Sequence, residues 1–266
     1  MDIIQKNNIH IIGNPDATQT LVFGHGFGID QRSFAQVTPA FENEYKIVLF
    51  DNVGGGAADI NAYSPKRYES INGYVADVAD ILQQLNLQHV TFVGHSVSGM
   101  IGLLTAVQHT DSIEKLILLG SSPRYLNDPE KGYIGGFDQP TLDSLFETME
   151  GNYHAWAAGF SVLAMRNDDR PELAAAFAAS LQAIRPDIAI QVAKAIFYLD
   201  YRNELAKVTQ PALIIQTTND IAVPAIVSEY LEANIPGSKR VSVQTQGHFP
   251  QISAPEEVIE AIRSFL

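Results

Sequence analysis

The 266-residue chain contains no cysteine. That excludes disulfides, thiolate metal sites and a thiol nucleophile, so any nucleophile must be oxygen or nitrogen. Basic side chains are scarce: 17 Lys and Arg stand against 30 Asp and Glu, a formal net charge of -13. Such an excess repels phosphate backbones and anionic bilayers, so nucleic acid is not an expected partner. No run approaches the roughly 18 apolar residues of a membrane span, and the opening MDIIQKNNIHIIG has no basic segment followed by an apolar one. A cytoplasmic location with no membrane insertion is the expectation. The seven histidines show no H-E-x-x-H or other close-set ligand spacing. Neither nucleotide-binding glycine pattern is present, since Ile29 stands where the third glycine of G-x-G-x-x-G would fall after Gly24 and Gly26. No metal and no cofactor is implied.

What the sequence does have is alternation. Short β-rich apolar runs at Thr20–Phe23, Tyr45–Phe50, His89–Val93, Ile113–Leu119, Ala212–Thr217 and Arg240–Val243 read as central strands. Helical patterns lie between or after them, at Tyr68–Leu87, Val97–Thr110, Pro224–Asn234 and Ala254–Leu266. This predicts an α/β fold with a mostly parallel central sheet flanked by helices. The alternation stops between Ser122 and Gln210, where TLDSLFETM, YHAWAAGFSVLAM, PELAAAFAASLQAI and PDIAIQVAKAIFYL read as four helices. The expected organisation is a core of residues 1–123 and 199–266 with a helical insertion at 124–198. The insertion's Phe146, Trp156, Phe160, Leu163, Phe177, Phe197 and Tyr198 can pack helix on helix. Some of them can also line a ligand site at the carboxyl ends of the strands.

Candidate chemistry begins at HVTFVGHSVSGMIGLL, an apolar run, a glycine-flanked turn and a helical pattern. It fits the strand–turn–helix signature G-x-S-x-G imperfectly, because Ser98 occupies the last position and Gly99 follows one step late. Ser96 falls on the bend, whereas Ser98 would sit in the first helical turn. A serine nucleophile needs a base, an acid to orient that base, and donors for an oxyanion. His248 lies in a loop after the last strand-like run, and Asp220 in a loop after the preceding one. Singly, Ser96 reads equally well as an inert helix entry, Asp220 as a turn former and His248 as a satisfied loop histidine. Jointly they reproduce the order Ser, acid, His at three strand ends. The backbone N–H groups of Val97 and Phe27 are the expected oxyanion donors, in a loop where Gly24, Gly26 and Gly28 let the backbone approach a substrate. His25 is expected to brace that loop, and Asp51 to be structural.

Across nearly its whole length the chain resembles one branch of the α/β hydrolases, the bacterial stress-response regulator RsbQ and the plant karrikin and strigolactone receptor hydrolases. GHGFGIDQ, FDNVGGG, RYESINGYVADV, VGHSVSGMIG, GSSPRYLNDP, GGFDQ, NYHAWAAGF, RPDIA, NDIAVP and GHFPQISAP carry the likeness. The resemblance implies a four-helix lid over the core, an apolar pocket, and a Ser96–His248–Asp220 triad. The implied reaction is hydrolysis of a small hydrophobic ester or butenolide-type lactone through an acyl-enzyme. By the same matching the pocket is formed by Phe27, Val97, Tyr125, Phe137, Phe160, Phe197 and Ile221, with Trp156 near the lid packing. The alternative it implies is a ligand-sensing signalling protein of slow or single turnover that engages a protein partner through the lid. Dehalogenases and epoxide hydrolases of this fold have Asp where Ser96 stands; perhydrolase or carbon–carbon cleavage chemistry stays open.

Overall fold

The computed structural model describes residues 2–266. In chain order its first half runs α1 (Ile3–Lys6), β1 (His10–Gly13), β2 (Thr20–Gly24), β3 (Lys46–Phe50), α2 (Asn72–Gln84), β4 (Val90–His95), α3 (Val97–Gln108) and β5 (Ile113–Leu119). Four helices follow without a strand: α4 (Gln139–Gly151), α5 (Tyr153–Met165), α6 (Pro171–Gln182) and α7 (Pro186–Phe197). The chain then returns through β6 (Ala212–Thr218), α8 (Ala225–Asn234), β7 (Lys239–Gln246), α9 (Pro250–Ser253) and α10 (Pro255–Phe265).

The seven strands form one sheet in the order β1-β3-β2-β4-β5-β6-β7, and only the β1–β3 pair is antiparallel. Each of the six strands anticipated from composition is present. Parallel strands buried on both faces read as continuous apolar runs, and all six residues of β4 are buried. The edge strand β1 is the one that composition does not announce: its four residues are exposed or half-buried, so no apolar run marks it. At the other edge β7 reaches Gln246, beyond its apolar stretch, because its alternate residues face out. Helix α2 is shorter than its pattern. The Tyr68 phenol turns in to donate to the buried Asp77 carboxylate at 2.7 Å, and Leu85 caps the helix just before Asn86, which adopts φ +50°.

Helices α2, α3 and α8 bury Val78, Ile81, Ile101, Leu104, Val227 and Leu231 on one side of the sheet. On the other side α10 packs Val258 and Ile262 against Phe34, Val37 and Phe41. The apolar side chains of α4–α7 join the first of these cores, so the inserted helices are packed onto the sheet assembly. Among the described residues no single helix is long and apolar enough to cross a bilayer.

The insertion leaves and re-enters the core at adjacent points. Arg124 and Asp200 form an antiparallel bridge and an ion pair at 2.5 Å, and Arg202 pairs with both Asp200 (2.8 Å) and Asp128 (2.7 Å). Burial raises the Asp200 carboxyl, but the hydrogen bonds from Arg202 and Arg124 outweigh it and hold the group at about 2, against an ordinary 3.8. A carboxylate lowered in the fold contributes stability that is fully present above its unfolded value and lost as pH falls through its folded one. The melting-temperature gap between wild type and Asp200→Asn should therefore shrink as pH falls from about 4 to about 2. A gap that stays constant across that window in pH-dependent thermal melts would remove Asp200 as the acid-sensitive staple.

Candidate active site

Because β2, β3, β4, β6 and β7 are parallel, their carboxyl ends share one edge, and every loop that leaves them opens there. The loop after β4 is the sharpest. Ser96 has φ +55° and ψ −123°, a region costly for a residue with a Cβ, by roughly 1–3 kcal/mol. Backbone bonds hold it there: the Ser96 N–H donates to the Leu119 carbonyl at 2.7 Å, and the Ser96 carbonyl accepts from Gly99 N–H at 3.0 Å. A Cβ on Gly94 would lie 2.5 Å from Gly99 N, and one on Gly99 would lie 1.9 Å from Ser121 Oγ. The glycine one step late in the motif is thus the one the turn requires.

The late glycine leaves Ser98 a role of its own. Its side chain lies against β2, where only Gly24 leaves room, since a Cβ there would come within 2.9 Å of Ser98 Cβ. Ser98 Oγ donates to the His25 carbonyl at 2.5 Å and accepts from Asn52 Nδ2 at 3.2 Å. Fully buried in the first turn of α3, it is a tie between that helix and the loop after β2.

Ser96, Asp220 and His248 come together as a hydrogen-bonded row. His248 Nδ1 lies 2.7 Å from Asp220 Oδ2, and His248 Nε2 lies 2.8 Å from Ser96 Oγ. Asp220 is itself oriented by the Ala222 and Val223 N–H groups, which donate to its Oδ1 at 2.8 and 3.1 Å. A carboxylate can only accept, so Nδ1 carries the imidazole proton and Nε2 is free to accept from the serine hydroxyl.

The loop after β2 is braced from β3. Asn52 N–H donates to His25 Nε2 at 2.9 Å, which leaves the proton on Nδ1 to donate to the Gly26 carbonyl at 2.8 Å. Asn52 Nδ2 also donates to the His25 carbonyl at 3.1 Å. The buried Asp51 carboxylate accepts from Gln31 N–H, Ala57 N–H and Asn8 Nδ2, fixing the loop's far end. Within the described residues the Val97 and Phe27 N–H groups, beside Ser96, find no acceptor.

Residues 19–255 match the family described as alpha/beta hydrolase fold. The chain belongs to the α/β-hydrolase family. Among curated members of this hydrolase family, a Karrikin insensitive 2 receptor from Petunia hybrida is 41% identical over 264 residues, covering 98% of this chain and 96% of the relative. A strigolactone esterase from Arabidopsis thaliana is 38% identical over 266 residues, covering 100% and 98%. Of solved structures, a hydrolase from Oleispira antarctica superposes with a TM-score of 0.94 at 33% identity, covering 99% of this chain and 96% of that one.

Phe27 and Val97 also wall a small apolar cavity of about 30 Å³ that runs beneath α7. Its other walls are Val53, Tyr74 and Ile101 from the core and Ile184, Ala189, Val192 and Ile196 from the insertion. Of the pocket residues expected from the resemblance, Phe27 and Val97 border this space. Tyr125, Phe137 and Phe197 instead pack ring on ring at 5.2–5.3 Å, with the buried Tyr125 phenol beside Ser96. Burial pushes that phenol well above the ordinary tyrosine range. Trp156 and Phe160 stack on α5 at 5.0 Å and reach His248 through Phe177 and Phe249, and the half-buried Ile221 follows Asp220. The cavity wall on α7 was visible as an apolar stripe at three- and four-residue spacing, Ala189, Val192 and Ile196, but the sequence did not say which way that stripe faced.

Ser98→Ala should lower unfolding stability by about 1 kcal/mol, since a buried hydroxyl bond is lost while the His25 carbonyl keeps Asn52 as a donor. Urea denaturation measures the loss. The same variant should still be labelled by a serine-directed fluorophosphonate, and loss of labelling would make Ser98 the reactive serine.

Proposed function

We propose that this chain is a serine hydrolase of small hydrophobic esters or butenolide-type lactones. The observation that carries the reading is the unbroken row Ser96–His248–Asp220, at 2.8 and 2.7 Å, next to an apolar cavity that shares Phe27 and Val97 with the unpaired N–H groups. Relatives named as a strigolactone esterase and a karrikin receptor support the substrate class.

In the proposed reaction Ser96 Oγ attacks the substrate carbonyl carbon while His248 Nε2 takes the hydroxyl proton. Asp220 keeps the imidazole in the required tautomer and stabilises the imidazolium. The Val97 and Phe27 N–H groups donate to the oxyanion, and as the tetrahedral intermediate collapses His248 returns its proton to the departing oxygen. Water then attacks the acyl-enzyme, His248 takes its proton, and the acid leaves with Ser96 regenerated. The cavity's aliphatic walls favour a short apolar acyl or lactone group. Helices α4–α7, within residues 124–198, act as a lid over it.

Ser96→Ala should abolish p-nitrophenyl acetate turnover and any covalent adduct seen by intact mass, and Asp220→Asn should lower kcat by on the order of 10⁴. Ester turnover at wild-type rate in Ser96→Ala would overturn the assignment. Ala189→Phe, which fills the cavity beneath α7, should raise KM for p-nitrophenyl butyrate at least several-fold while leaving fluorophosphonate labelling of Ser96 intact.

A second reading has its own support. The His248 N–H donates to the Ala164 carbonyl of α5 at 2.8 Å, so the base and the lid share a backbone bond. A ligand that shifts α5 would alter the lid's outer surface and let a protein partner engage it, with turnover slow or single. Strong thermal stabilisation by a butenolide in Ser96→Ala, with ligand-dependent capture of one partner by the wild-type protein, is the outcome that reading requires.

A further inference from the structure

His95 precedes the nucleophile, is fully buried, and takes no part in the proton path described above. Its Nε2 lies 2.7 Å from the His248 carbonyl oxygen. A carbonyl only accepts, so Nε2 bears the proton and Nδ1 holds a lone pair. That Nδ1 finds no hydrogen-bond donor in the described residues. It faces the loop after β2, where a Cβ on Gly26 would lie 2.5 Å from it. One imidazole therefore touches the peptide of the base with one edge and the backbone next to Phe27 with the other.

We propose that His95 is a positioning residue that sets the distance between the base loop and the oxyanion loop. The inference rests on the serine-hydrolase reading and deepens it. The His248 backbone is gripped on both sides, its N–H donating to Ala164 of α5 and its carbonyl accepting from His95 on β4. Hydrogen bonds on Asp220 and Ser96 orient the His248 ring; these two backbone bonds place the residue that carries it. A shift of about 1 Å at such a position costs on the order of 10² in rate.

The ring must also stay neutral to do this. Burial holds His95 well below the ordinary histidine range, and the neighbouring His248, with ring centroids 5.0 Å apart, and His25 push the same way. The backbone bond to His248 opposes them without prevailing. When His248 becomes an imidazolium, the adjacent ring does not take up a second charge. An unpaired buried lone pair is unfavourable, and a side chain serving only to fill space would avoid it.

The test compares His95→Gln, whose amide NH₂ reaches the place of Nε2, with His95→Phe and His95→Leu, which have no donor, each beside wild type and Ser96→Ala. The expected result is a kcat for p-nitrophenyl acetate lowered about 10²-fold in the Phe and Leu variants, with KM within a few-fold. Fluorophosphonate labelling of Ser96 should slow in parallel with kcat, because a displaced His248 activates the serine less well. His95→Gln should recover at least ten-fold of the loss. Active-site titration by a fluorophosphonate corrects each rate for misfolded protein. Donor-less variants with wild-type kcat and an unchanged labelling rate, or a Gln variant no better than Phe, would overturn the role of His95. Wild-type turnover that survives in Ser96→Ala would overturn the serine-hydrolase reading itself, whatever the His95 variants do.

Discussion

The site depends on how closely α3 approaches β4. With no side chain at Gly94 or Gly99, helix and strand meet backbone to backbone, and the only residue left to span the gap is driven into left-handed geometry. That residue is Ser96. Its hydroxyl projects from the sheet edge because the chain cannot turn so tightly and also fold the side chain back. The first turn of α3 then brings the Val97 N–H to the same spot, among those N-terminal donors that no residue of the helix can satisfy. The exposed serine hydroxyl and an unsatisfied backbone N–H beside it thus follow from a single steric constraint.

The remaining groups come from separate loops, and the structure invests its buried polar bonds in holding those loops to one another. Asn52, His25 and Ser98 join the turns after β3, β2 and β4, and His95 reaches from β4 to the loop after β7. Each of these bonds crosses between loops that are far apart in sequence. The effect is a site whose parts hold their spacing through these bonds, in a chain that has no cysteine to form a disulfide brace.

The sequence showed what local chemistry encodes. The six buried strands were legible because both of their faces are apolar, and the placing of Ser96, Asp220 and His248 at strand ends was legible because each follows such a run. The exposed β1 was not, since nothing apolar marks it. Ser98 was read as a residue of the first helical turn, and its hydroxyl turned out to matter: only the fold brings the His25 carbonyl and Asn52 within its reach. The pocket was the least legible part. The aromatic residues Tyr125, Phe137 and Phe197 fill space beside Ser96, whereas the open volume lies beneath the aliphatic face of α7, and which helix face turns inward is decided by packing between distant segments.

The adjacency of Arg124 and Asp200 has a consequence for what holds the inserted helices in place. An excursion whose two ends meet has a closure entropy cost that grows only slowly with its length, by about 0.6 kcal/mol per doubling. The chain ends of the insertion therefore constrain its helices little, and what fixes them over the sheet is their own packing into the core together with the Ala164–His248 backbone bond.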